Sequence, residues 1–334
     1  MRQKHLKIGI IGAGSMGSLF GGYIANLKSK QYSTNVCLFG RKNHVDAINL
    51  KGLSIISPSS QILNIKNIRA FTDLKSYMNN NINKNGIFDY MILSTKAYDI
   101  KNALSEYSDL LENAEFLILL QNGIGNEDIV KKSISKSKII RLVTSHGAVL
   151  ANPGKIKHTG KGFTKIGYPF KKNVFETHGE KTSLLKLREF KELLDLVGIQ
   201  TNIVSDIIAN CWEKTFINIG INAIGTLCRL KNGELLEIQE IKFLMKEAIK
   251  EAIKVANLKN IDIPNNDFVT SSYDVALKTK NNINSMLQDI IKGNKTEIDF
   301  LNGKIVQYAN ESGLEVPINK ILTYLIKGLE KSKI

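Results

Sequence analysis

The N-terminal hydrophobic pattern predicts three successive elements. Residues 7–12, Lys-Ile-Gly-Ile-Ile-Gly, form a short apolar run ending in glycine, and from Ser15 to about Leu27 the apolar positions recur at helical spacing. That is a strand, a tight turn and a helix. Val36–Phe39, Tyr90–Leu93 and Phe116–Leu120 are further short apolar runs bounded by turn residues, each predicting a strand. Helix-length segments separate these runs, so the strands need crossover connections, which implies a largely parallel sheet with helices on both faces. Extended pieces are expected at Leu53–Ile56 and Ile68–Phe71, and a surface loop at the Asn-rich tract Asn79–Asn85.

From Ile139 to Tyr168 short β-like runs are broken by Asn152-Pro153-Gly154 and Thr159-Gly160-Lys161-Gly162, which predicts antiparallel strands added to the parallel core. Lys171–Lys181 reads as an exposed loop, Leu184–Val197 as an amphipathic helix and Gln200–Val204 as a strand. After Ser205 helical spacing prevails. The expected architecture is an α/β Rossmann-type domain over residues 1–204, of the kind that binds dinucleotides, with the added antiparallel strands, followed by an all-α domain over residues 205–334.

Composition narrows the function. With 334 residues and 43% hydrophobic content the chain has ample core for two domains. No apolar run approaches the roughly 20 residues of a membrane span, and the first residues lead into a strand rather than a signal sequence, so a cytoplasmic protein is expected. Cys37, Cys211 and Cys228 stand far apart, and His5, His44, His146, His158 and His178 show no metal-ligand spacing, so no metal is expected. A net charge of +15 raises nucleic acid as a partner, but the lysines are spread along the chain with no dense basic run among aromatics. The expected partner is a small molecule, with neither nucleic acid nor membrane, and a homodimer is the candidate assembly.

Gly12, Gly14 and Gly17, in Gly-Ala-Gly-Ser-Met-Gly, stand directly after the first strand and open the first helix. Gly12 permits the tight turn, Gly14 lets the backbone approach a pyrophosphate, and Gly17 lets helix and strand pack closely, while the helix N-terminus offers unpaired N–H groups to phosphates. The bland alternative is a glycine-rich turn; the strand-turn-helix-strand context favours a dinucleotide site. The second strand ends Gly40-Arg41-Lys42-Asn43, without the carboxylate that would hold an NAD ribose. Arg41 with Lys42 could grip a 2′-phosphate, so NADP is expected over NAD.

Residues 211–227 are apolar around most of a helix, and the exceptions are ordered: Lys214, Asn218 and Asn222 fall at i, i+4 and i+8 on one face. Such a stripe must meet polar partners, water or a ligand. A satisfied interhelical network is one outcome. The other is a substrate pocket in which the ammonium stabilises and protonates the oxygen of a ketone under reduction. Downstream, Glu297 follows a Gly-Asn turn and is expected to begin a helix, where a carboxylate is favoured; taken alone, it reads as a capping residue.

Taken together, Gly12–Gly17, Ser94-Thr-Lys96-Ala-Tyr, Gln121-Asn122-Gly123, Trp212-Glu-Lys214, Asn218 with Asn222, Asn232-Gly-Glu-Leu, Ser285-Met-Leu-Gln-Asp and Thr296-Glu297-Ile-Asp resemble the ketopantoate reductase (2-dehydropantoate 2-reductase) family over nearly the whole chain. The resemblance implies NADPH-dependent reduction of a small 2-oxo acid, ketopantoate, to pantoate. By the same resemblance Lys214 is the general acid, Glu297 orients it and contacts the substrate, and Ser285 holds the substrate carboxylate. Asn218, Asn222 and Asn282 line the pocket, Asn122 and Lys96 lie beside nicotinamide and ribose, and Arg41 meets the 2′-phosphate. Ala13, Ser15 and Met16 join the three glycines in the cofactor turn. A reductase of another 2-oxo acid and a non-catalytic NADP-binding sensor are the alternatives.

Overall fold

The computed structural model describes residues 3–80 and 87–332. By their contacts the residues form two compact units, one running through Gln121 and resuming from Asn126 to Ile207, the other comprising Asn122–Gly125 and continuing from Ile208.

The first unit contains, in chain order, β1 (Lys4–Ile11), α1 (Ser15–Ala25), β2 (Tyr32–Phe39), α2 (Lys42–Lys51), β3 (Leu53–Ile56), β4 (Ile62–Ile65), β5 (Arg69–Phe71), α3 (Leu74–Asn80), β6 (Tyr90–Leu93), α4 (Ile100–Glu106), α5 (Ser108–Asn113), β7 (Phe116–Leu119), α6 (Asn126–Val130), β8 (Ile139–Thr144), β9 (Gly147–Asn152), β10 (Lys155–Gly160), β11 (Thr164–Gly167), α7 (Lys171–His178), α8 (Glu180–Leu196) and β12 (Thr201–Ile203). Eight strands form one sheet in the order β12-β11-β8-β7-β6-β1-β2-β5. Its centre is parallel, with Ile8 opposite both Val36 and Tyr90 and Ile92 opposite Ile118. The residues of β6 and β7 are all buried, which is why they read as unbroken apolar runs rather than alternating ones.

The antiparallel strands expected after Ile139 divide between two sheets. β11 runs antiparallel to β8 in the main sheet. The β9–β10 hairpin, turning at Gly154 (φ 75°), leaves it and joins a second sheet of order β4-β3-β10-β9, where Ile156 lies opposite Ile55 in a parallel pair. Adjacent glycines in α1 explain how both sheets share one core. A Cβ on Gly21 would lie 2.6 Å from Ile10 of the main sheet, and one on Gly22 would lie 2.6 Å from Ile55 of the second. The cost of glycine inside a helix, about 1 kcal/mol each relative to alanine, is offset by this close approach on two sides.

Lys171–Lys181 is not a loop. α7 and the first residues of α8 occupy it, separated by Gly179 at φ 75°. Val174 is fully buried and Phe175 packs against Tyr168, but the surrounding lysines dilute the periodic signal. α8 therefore begins before Leu184. Of the Asn79–Asn85 tract, Asn79 and Asn80 close α3, and the rest lies outside the described residues.

The second unit is helical: α9 (Ile207–Cys228), α10 (Gln239–Leu258), α11 (Phe268–Lys278), α12 (Ser285–Ile291), α13 (Asn302–Glu311) and α14 (Pro317–Lys331), with single 3-10 turns at Glu234–Leu236 and Ile298–Phe300. Among the described residues no strand follows Ile203. α10 buries Met245, Ala248, Ile249 and Ala252, and Gly220 of α9 leaves room for Ile249. Glu297 does not begin an α-helix as expected. It precedes the 3-10 turn, and α13 starts only at Asn302 because Leu301 (φ −114°, ψ −107°) interrupts the chain between them.

Candidate active site

Each glycine of the N-terminal turn has a distinct environment. Gly12 has φ +95°, and a Cβ there would lie 2.5 Å from the Thr95 backbone nitrogen. Gly17 packs so tightly that a Cβ would lie 2.4 Å from both Gly12 O and Ser94 Oγ. Gly14 is the opposite: its Cβ would meet only Gly12 O, at 4.0 Å. Space is thus left open at the position where the backbone must approach a pyrophosphate, and closed where helix meets strand. Gly14 is the N-cap of α1 and supplies no capping side chain, and no acidic residue occupies the first turn. The leading amides of an 11-residue helix face no carboxylate of their own helix, a fit for an anionic cofactor.

Around this turn the other sequence-marked residues divide by role. Ala13 is buried, and Gly40 admits it, since a Cβ on Gly40 would lie 2.7 Å from that of Ala13. Ser15 Oγ accepts from Leu150 N at 3.0 Å, so this hydroxyl ties α1 to β9, and Met16 packs on the core. Arg41 is exposed at the N-cap of α2, with no ion-pair partner among the described residues, whereas Lys42 pairs with Asp46 at 3.0 Å. Lys96 is half-buried and caps the 3-10 turn Ala97–Asp99.

The second unit brings three of the sequence-marked residues together. Lys214 Nζ donates to Asn122 Oδ1 at 2.6 Å, and Asn122 Nδ2 donates to Glu297 Oε2 at 3.3 Å. One amide therefore joins the ammonium and the carboxylate. The backbone around it is specified by glycines: Gly123 (φ +83°) could not carry a Cβ, which would lie 2.3 Å from Phe300 O, and Ile124 N donates to that same carbonyl at 3.2 Å. The Asn122–Gly125 segment is thus seated on the turn that follows Glu297. Trp212, two residues before Lys214, stacks on Tyr308 at 6.0 Å between ring centroids and holds α9 against α13.

Asn218 and Asn222 continue the row from Lys214 along α9, half-buried and buried respectively, and neither amide has a side-chain hydrogen bond among the described residues. Burying an unpaired amide costs about 1–3 kcal/mol, so this face is built to meet a polar ligand or water. Thr226 is one step further on the same i+4 row, and its hydroxyl donates to Asn284 Oδ1 at 3.2 Å. Asn284 caps α12 by accepting from Leu287 N, which places exposed Ser285 as the first residue of that helix. Exposed Asn282 is held through its backbone: Asn232 N donates to Asn282 O at 2.9 Å, and a Cβ on Gly233 would lie 2.5 Å from Lys280 Cβ. The Asn232-Gly233 pair therefore seats the loop carrying Asn282.

Sequence reading missed several supports. His44 is buried: its Nδ1 accepts from Gly154 N and its Nε2 donates to Ser18 Oγ, both at 2.9 Å, linking α1 to the second sheet. Burial holds its pKa below the ordinary histidine value. Arg141, 1% exposed, donates to the carbonyls of Leu119 and Gln121 and lies 3.7 Å from Glu127, fixing the chain just before Asn122. Neither residue had a local signal, because their partners lie far away in sequence.

Residues 8–170 match the family model "Ketopantoate reductase PanE/ApbA" and residues 206–330 its C-terminal counterpart. The chain is 38% identical over 328 residues to the 2-dehydropantoate 2-reductase of Pyrococcus abyssi and 35% identical over 328 residues to that of Pyrococcus horikoshii, each alignment covering 97% of this chain and 98% of the relative. The PanE/ApbA family ketopantoate reductase from Ralstonia eutropha JMP134 shares the fold with a TM-score of 0.82 at 24% identity, covering 97% of this chain and 98% of that one. Through both family models and near-complete alignment with these relatives, the chain belongs to the ketopantoate reductase family.

Proposed function

We propose that this protein is an NADPH-dependent 2-dehydropantoate 2-reductase, converting ketopantoate to pantoate on the route to pantothenate and coenzyme A. The first unit is the cofactor-binding domain and the second the substrate domain. The observation that carries the reading is the Lys214–Asn122–Glu297 chain of hydrogen bonds at the head of a row of unpaired amides.

When bound, the reduced nicotinamide supplies the hydride, and the rest of the chemistry falls to this chain's side chains. Hydride arrival at the ketone carbon leaves negative charge on oxygen. Lys214, aimed by Asn122, stabilises that charge and passes its proton from Nζ to the alkoxide. Glu297 accepts from the far end of the Asn122 amide and so orients the side chain that aims Lys214. Ser285 holds the substrate carboxylate, and Asn218, Asn222 and Asn282 bind its polar groups. Lys96 would hold the ribose and Asn122 the nicotinamide, the turn Gly12–Gly17 would carry the pyrophosphate, and Arg41 would hold the 2′-phosphate.

A cytoplasmic location, the absence of a nucleic-acid role and assembly as a homodimer complete the proposal. Among the described residues no helix is long and apolar enough to cross a membrane. Light scattering of the purified protein decides the assembly. A panel of 2-oxo acids assayed with NADPH tests the substrate. Ketopantoate should give the highest kcat/KM, and a tenfold preference for another 2-oxo acid would replace the substrate while leaving the reductase class in place.

A further inference from the structure

We propose that Glu330, on the C-terminal helix α14, is a positioning residue for Glu297 and acts through Thr296. Glu330 Oε1 accepts two hydrogen bonds from Thr296, from the backbone N at 2.7 Å and from Oγ1 at 2.6 Å. The Thr296 hydroxyl in turn accepts from Ile298 N at 3.2 Å. One carboxylate thereby fixes the peptide on both sides of Glu297, holding that residue at φ −94°, ψ 22°. Thr296 is 1% exposed, so no water replaces these bonds without opening the turn.

The same helix also grips the turn that follows Glu297. Lys327, three residues before Glu330 and on the same face of α14, pairs with Asp299 Oδ1 at 2.5 Å. Gly303 lets the elements approach, because a Cβ there would lie 3.1 Å from Ile298 O and 3.4 Å from Thr323 of α14. Two opposite charges on α14 thus hold the chain at Thr296 and at Asp299, on either side of Glu297. Charge-assisted bonds to a carboxylate are stronger and more directional than neutral ones, which suits holding one side chain in register with Asn122.

The inference rests on Glu297 belonging to the reactive chain, and a double-mutant cycle separates the two claims. Glu330→Ala and, with volume kept, Thr296→Val are each made in the wild type and in Glu297→Gln. Misplacing a catalytic group by a fraction of an ångström costs about tenfold in rate. Glu330→Ala and Thr296→Val should each lower kcat/KM for ketopantoate about tenfold in the wild type and less than about twofold in Glu297→Gln. Glu330→Gln, whose amide oxygen still accepts both bonds, should recover most of the loss. A loss carried undiminished into the Glu297→Gln background, or a kinetically silent Glu330→Ala, overturns the positioning role alone. Wild-type turnover by Glu297→Gln overturns the site assignment and the positioning role with it.

Discussion

Lys214 and Asn122, separated by 92 positions in sequence, are joined by a 2.6 Å hydrogen bond from ammonium to amide oxygen. The other end of that amide donates to Glu297, so Asn122 contributes a donor and an acceptor that no single-function side chain replaces. Asn122→Asp keeps the acceptor for Lys214 but sets a second carboxylate against Glu297, and Asn122→Ala removes both bonds. Each should lower kcat by about 10- to 100-fold with a smaller change in KM. Steady-state kinetics beside a thermal melt check this; a change confined to KM would assign Asn122 to binding alone.

The glycines of the cofactor turn should fail in different ways. Gly14 has a negative φ and open space around its absent Cβ, so Gly14→Ala should fold normally yet block the approach of the pyrophosphate. Its NADPH Kd should rise at least tenfold at an unchanged melting temperature. Gly17→Ala places a Cβ 2.4 Å from Gly12 O, so it should lower the melting temperature by several degrees without any ligand present. Titration of cofactor fluorescence and calorimetry of the two variants separate these outcomes.

Arg41 should set the cofactor preference. It stands exposed where the second strand hands over to α2, and neither it nor the first turn of α2 offers a carboxylate to a ribose 2′-hydroxyl. Arg41→Ala should raise KM for NADPH about tenfold and leave KM for NADH within about twofold. Equal losses with both cofactors would move the 2′-phosphate contact to another residue.

Acid should weaken the first unit before its carboxylates are affected. Burial holds His44, His146 and His158 below the ordinary value of 6.5, with His146 pushed down to about 4. The three are packed into hydrogen bonds that use neutral rings: Tyr23 OH donates to His158 Nδ1 at 2.8 Å, and His146 Nδ1 lies 3.0 Å from His158 Nε2. Above pH 6.5 folded and unfolded chains are equally neutral at these sites and the stability is fully present. As pH falls from 6.5 towards 4 the unfolded chain takes up protons that the folded one refuses, so stability drops by at most about 1.4 kcal/mol per pH unit for each histidine. Asp73 of the first unit, like Asp267 and Glu311 of the second, is held below the ordinary carboxylate value and loses its contribution only at lower pH. Urea unfolding midpoints should decline between pH 6.5 and 4.5, and His146→Phe should flatten the decline; a level wild-type profile over that range would contradict it.

Local chemistry made parts of this molecule legible in sequence. Gly12, Gly14 and Gly17 act on the turn they build, and the row Lys214, Asn218, Asn222 announces itself because helix geometry alone puts residues four apart on one face. What stayed hidden depends on contacts between distant segments. The pairing of Lys214 with Asn122 is made by Gly123 lying against Phe300, which no spacing rule encodes. The second sheet needs β3 beside β10, about a hundred residues later; its strands could be read locally, but their pairing could not. α7 was lost among lysines because one fully buried residue, Val174, is too little periodicity to read.

The central claim is that Lys214 delivers the proton and is not required for binding the cofactor. It is tested most directly by following NADPH oxidation at saturating ketopantoate in the wild type and in Lys214→Ala, with NADPH binding measured on both. The account predicts turnover by the wild type, a loss of at least about 100-fold in the variant, and NADPH affinity within about twofold. Turnover retained by Lys214→Ala, or lost only in step with NADPH binding, would contradict it.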